Sequence, residues 1–156
     1  MTLRTAALIA GLIALSACGF QPVHGPELSS GSTNISIEEI DGRTGHALRK
    51  ALLQETASGV PGVESAVISV NLSESLQRIG FNSDGVSTRS SITLRGQYVV
   101  DMGDDALSGQ EQSVVYYSVP ASPYGDISAQ NDAAERAANV LAKNMIDDIT
   151  LQLTRR

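Results

Sequence analysis

Apolar and polar positions along the chain change period several times, and each change marks an element. Ile35 and Ile37 alternate with Asn34, Ser36 and Glu38, the two-residue period of a short half-buried strand. Asp41 then stands as an N-cap, and Leu48, Ala51, Leu52 and Glu55 recur at three- and four-residue steps until Gly59-Val60-Pro61-Gly62 ends the pattern. This predicts a first helix. Alternation returns at Ala66, Ile68, Val70 and Leu72, with Val67, Ser69, Asn71 and Ser73 between them, so one face of this strand should be covered and the other wet.

Gly80-Phe-Asn-Ser-Asp-Gly85 has the composition of a reversing turn. A third strand is predicted from about Thr88 to Asp101, with Ile92, Leu94, Tyr98 and Val100 on one face and Arg89, Thr93, Arg95 and Gln97 on the other. Asp104 to Gly109 reads as a second polar turn, and Val114 to Val119 as a fourth strand of high β propensity. After a break at Pro120–Gly125, residues 128–153 carry the longest helical pattern, an apolar stripe of Ala134, Ala138, Leu141, Met145, Ile149 and Leu153. The order β-α-β-β-β-α predicts an α+β fold, a two-layer sandwich with both helices packed on one face of a four-stranded sheet.

The first 33 residues follow no such pattern. Arg4, an apolar run from Ala6 to Leu15 and small residues before Cys18 make a secretory signal peptide, too short for the roughly 20 apolar residues of a transmembrane helix. Leu15-Ser-Ala-Cys18 resembles the lipobox of bacterial lipoproteins, which implies that Cys18 carries the lipid and becomes the first mature residue. Each buried methylene of an acyl chain contributes about 0.8 kcal/mol, so several chains on one cysteine anchor stably. Gly19, rather than Asp, after that cysteine favours the outer membrane, again by resemblance. Residues 18–33, rich in Gly, Pro and Ser, then read as a lipidated N-terminus and flexible tether, ahead of a domain at 34–156.

Composition narrows the chemistry. The chain has 156 residues, 11 basic and 17 acidic side chains and a net charge of −6; removal of residues 1–17 takes away Arg4 alone, leaving ten basic groups and a balance of −7. That balance opposes a general electrostatic grip on nucleic acid or anionic lipid, so any anion contact has to be local. One cysteine permits neither an internal disulfide nor a Cys-rich zinc site. Of the two histidines, His24 falls in the tether and His46 near the start of the first helix, and no nucleophile-base motif, phosphate loop, dinucleotide fingerprint or calcium loop is present. The chain is therefore expected to be no enzyme and to need no cofactor or metal. The acidic pairs Asp104-Asp105 and Asp147-Asp148 are expected to be solvated surface.

Cys18-Gly-Phe-Gln-Pro-Val-His-Gly25 resembles the Cys-Gly-Phe-x-Pro-Val-Tyr-Gly opening of the LptE family of lipopolysaccharide-assembly lipoproteins, in particular its alphaproteobacterial branch, with His24 at the usual Tyr. Gly45 to Leu53 is similar to the family's first helix, and Tyr116 to Pro123 with Asp132 to Ala142 to its last strand, connector and long helix. The resemblance implies an outer-membrane lipoprotein that plugs the lumen of the β-barrel LptD, assists its assembly and contacts lipopolysaccharide. Arg78, Arg89 and Arg95 are the candidate contacts, because a guanidinium fork suits phosphates and carboxylates; the alternative is that they are ordinary solvated arginines balancing an acidic surface. The competing expectation is a free periplasm-facing lipoprotein that binds an anionic glycolipid or another envelope component without a barrel.

Overall fold

A computed structural model describes residues 34–85 and 87–155. The expected signal peptide, Cys18 and the expected tether lie outside the described residues. The elements follow the expected order: β1 (Asn34–Ile37), α1 (Gly42–Glu55), β2 (Ser65–Phe81), β3 (Ser87–Asp101), β4 (Ala106–Ser118) and α2 (Pro123–Thr154). The sheet order is β1-β2-β3-β4, with β1 parallel to β2 and the other two pairs antiparallel.

One face of the sheet is covered. Ala66 and Ile68 on β2, Ile92, Leu94, Tyr98 and Val100 on β3, and Leu107 and Tyr117 on β4 enter a single core with Leu48, Ala51 and Leu52 of α1 and the alanine-rich side of α2. The predicted stripe on α2 is this buried side from Ala134 to Ile149, with Leu153 half-buried at its end.

Small residues let α2 approach closely. Ala133, Ala134, Ala137, Ala138 and Ala142 are buried, Gly96 and Gly109 lie beneath the helix, and Ser113 donates to the Ala137 carbonyl at 2.8 Å. A Cβ at Gly109 would stand 2.4 Å from the Tyr98 hydroxyl, and one at Gly96 would stand 2.1 Å from Met145 Cε. Both glycines are there for closeness.

Three boundaries depart from expectation. The second turn is confined to Met102–Asp105, closed by Met102 N–H donating to the Asp105 carbonyl at 2.9 Å and by the Asp101 carboxylate accepting from Gly103 N–H at 2.8 Å. Residues 106–109 therefore belong to β4, where Leu107 is buried. At its C-terminal end, β2 runs on to Phe81, well past the alternation that identified it, because its distal half pairs with β3 while burying little. The long helix begins at Pro123, since Ser122 caps it by accepting from Gly125 N–H at 3.1 Å and proline suits the first helical position.

Asp148 departs too. Rather than lying in solvent, its carboxylate accepts from the buried Tyr98 hydroxyl and, at 2.9 Å, from Gln152, which also donates to the Tyr98 oxygen at 3.1 Å. Burial, then the neighbouring Asp148 carboxylate, pushes the Tyr98 phenol well above its ordinary range. Asp147 remains exposed and pairs with Lys143 at 2.6 Å, which holds the ammonium's pKa above its ordinary value.

Candidate functional site: the open face of the sheet

The odd positions of β2 and β3 and the even positions of β4 point away from the helices. Registered across the three strands they form rows: Ser69-Val99-Ser108, Asn71-Gln97-Gln110, Ser73-Arg95-Gln112, Ser75-Thr93-Val114 and Gln77-Ser91-Tyr116. The surface is thus a field of neutral hydroxyls and amides with small apolar patches, among them Val99 and Tyr116. Gln97 donates to Gln110 at 3.3 Å, and Arg95 Nε donates to Gln112 Oε1 at 2.8 Å. Such cross-strand pairs add a few tenths of a kcal/mol each, and they hold the amides in fixed directions. Near the β1 end the face hollows into a shallow concavity of about 660 Å³ bordered by Glu38, Glu39, Asn71, Gln97 and Gln110.

The three candidate arginines do not form one cluster. Arg95 stands in the middle of the open face with a neutral partner, so its charge is uncompensated there. Arg89 shares that face by parity but lies six residues along the strand, about 20 Å away. Arg78 is on the helix side of β2, with its guanidinium 3.9 Å from Asp126 in the first turn of α2. Among the described residues no carboxylate pairs with Arg89 or Arg95.

Gln97 falls on the wet face by its periodicity, whereas Gln110 and Gln112 join that face only in the structure. Their alternation with Glu111 and Ser113 was legible, but extending the turn to Gly109 hid the strand they belong to. His46 is exposed on α1. Among the described residues no three His, Cys, Asp or Glu side chains group for a metal ion, and no helix is long and apolar enough to cross a membrane.

The chain is thus a four-stranded α+β sandwich, with one sheet face sealed by two helices and the other bare and polar. The family described as LptE, lipopolysaccharide-assembly, matches residues 32–153. The chain belongs to the LptE family. No curated protein sequence matches it. Among solved structures it is similar to a putative lipoprotein from Caulobacter crescentus (TM-score 0.62, 20% identity, covering 83% of this chain and 98% of that one). Rare lipoprotein B from Shewanella oneidensis gives 0.58 at 10% identity, over 78% and 96% of the two chains. A minor lipoprotein from Acinetobacter baumannii gives 0.54 at 12%, over 78% and 94%. At these identities the likeness establishes the fold, and the family match carries the assignment to lipopolysaccharide assembly.

Proposed function

We propose that this chain is a non-enzymatic outer-membrane lipoprotein, anchored through Cys18, that serves as plug and assembly partner of an LptD-like β-barrel. The observation that carries the reading, given the family, is the bare face of β2, β3 and β4. Apart from Arg89, Arg95 and Asp101, this face is built chiefly from Ser, Asn, Gln and Thr with a few exposed apolar side chains such as Val99 and Tyr116, in a chain of net charge −6. Neutral donors and acceptors suit a wet barrel lumen, where they exchange hydrogen bonds with water and with the polar inner wall. Arg95, and Arg89 farther along, supply the local positive charge that a phosphate or carboxylate of lipopolysaccharide requires; Arg78 does not share their surface.

Affinity-tagged mature protein solubilised in mild detergent should bring down a large, heat-modifiable barrel in near-equal amount, and depletion should impair that barrel's assembly. Recovery of the protein alone, with barrel assembly normal after depletion, contradicts the reading and favours a free glycolipid-binding lipoprotein.

A further inference from the structure

The hollow near the β1 end of the open face has a floor of two adjacent rows, Ser69-Val99-Ser108 and Asn71-Gln97-Gln110. Glu38 and Glu39 stand at its rim, on the segment that joins β1 to α1. Its volume of about 660 Å³ falls within the range of small-molecule sites. Among the described residues no cation lines it, and the two carboxylates repel a bare anion from this end of the face. Neutral groups do the rest. Gln97 donates one amide hydrogen to Gln110 Oε1, which fixes both side chains, while the Gln97 carbonyl, the Gln110 amino group and the Asn71 amide have no protein partner among the described residues. Val99, 46% accessible, lies between Ser69 and Ser108. An apolar spot flanked by hydroxyls and amides that both donate and accept matches a sugar ring, whose faces are C–H and whose rim is hydroxyl. The next row, Ser73-Arg95-Gln112, is about 7 Å farther along the strands. There Arg95 donates to Gln112 through Nε, which leaves its two terminal nitrogens for an anion.

We propose that the hollow is a saccharide subsite, which holds a neutral sugar of a phosphorylated glycolipid while Arg95 takes the adjoining phosphate. The division follows the charges: acceptors without cations line the hollow, and the one uncompensated guanidinium of this region stands a row beyond it. Fixed amides lower the ordering cost of binding a flexible, heavily hydrated ligand. The subsite rests on the lipopolysaccharide contact proposed above and not on the barrel. A sugar bound there would lie between the sheet and any surrounding wall, with Gln97 at its border within reach of both.

The test uses residues 18–156 with Cys18→Ser and no barrel, so its outcome is separate from that of the co-purification. The probes are the deacylated oligosaccharide of lipopolysaccharide, with and without its phosphates, and inorganic phosphate alone. In NMR titrations the side-chain amide signals of Asn71, Gln97 and Gln110 should shift saturably with the dephosphorylated oligosaccharide, with a Kd on the order of millimolar, and the phosphorylated form should bind about tenfold more tightly at low salt. Inorganic phosphate should leave those three signals in place. Gln97→Leu, which keeps the bulk and removes the amide, should weaken both oligosaccharides about fivefold or more, whereas Arg95→Gln should weaken the phosphorylated form alone. Absence of amide shifts up to about 20 mM oligosaccharide, equal affinity for the two forms, or a Gln97→Leu protein that binds as the wild type does would each overturn the subsite.

Discussion

At the residue scale, the best-defined chemistry lies where the sheet meets α2. Tyr98, Asp148 and Gln152 share hydrogen bonds beside the buried face, and Gly109 makes room for the phenol. Tyr98→Phe removes the donor to a half-buried carboxylate, and a loss of about 1–3 kcal/mol is expected from urea unfolding at pH 7. Because folding raises the phenol's pKa, its contribution is fully present below the unfolded value of about 10 and is lost as pH rises beyond it. Between pH 9 and 11 the unfolding midpoint of the wild type should fall more steeply than that of Tyr98→Phe; parallel slopes would show that the phenol titrates freely. The two glycines should also differ. An added methyl at Gly96 meets the flexible end of Met145, whereas at Gly109 it meets the rigid Tyr98 ring, so Gly109→Ala should destabilise more than Gly96→Ala. These couplings were invisible in the sequence, because nothing local tells Asp148 from Asp147 until the helix is laid over β3.

Among the elements, strict periodicity was the reliable signal and weakly buried stretches were not. The alternation of Ile92, Leu94, Tyr98 and Val100 and the stripe from Ala134 to Ile149 were legible because each buries one face completely. The distal half of β2 was not, since Glu74 to Ile79 is exposed on both sides and carries no contrast to read. The start of α2 was missed for another reason: Pro120 and Pro123 look alike in composition, but only Pro123 follows a serine that caps the helix. Ser122→Ala should cost about 1 kcal/mol in denaturant unfolding, and Ser122→Asp should restore most of it. An alanine variant as stable as the wild type would mean that the cap bond contributes nothing net.

For the whole molecule, asymmetry between the two faces of the sheet is the feature that connects fold with function. Two helices seal one face, and the other offers ordered amides and hydroxyls with Arg95 at its centre. The fold class and the family were legible before any coordinate, from the periodicities and from the residues after Cys18. The composition of the open face was only half legible, because its β4 column came to light with the true position of the turn. If lipopolysaccharide meets this face through its arginines, Arg89→Glu with Arg95→Glu should weaken binding several-fold at low salt, and the difference from wild type should shrink as ionic strength rises. Equal binding at all salt concentrations would return both arginines to the solvated surface. In the proposed function the polar face works against a barrel wall. A photo-crosslinking amino acid at Gln97, in cells carrying the otherwise intact lipoprotein, tests it most directly. The expected product is an adduct of the mature chain with a large heat-modifiable outer-membrane barrel; a crosslinker at Gln97 that captures no barrel, in cells where the barrel assembles normally, would show that this face does not meet the barrel wall.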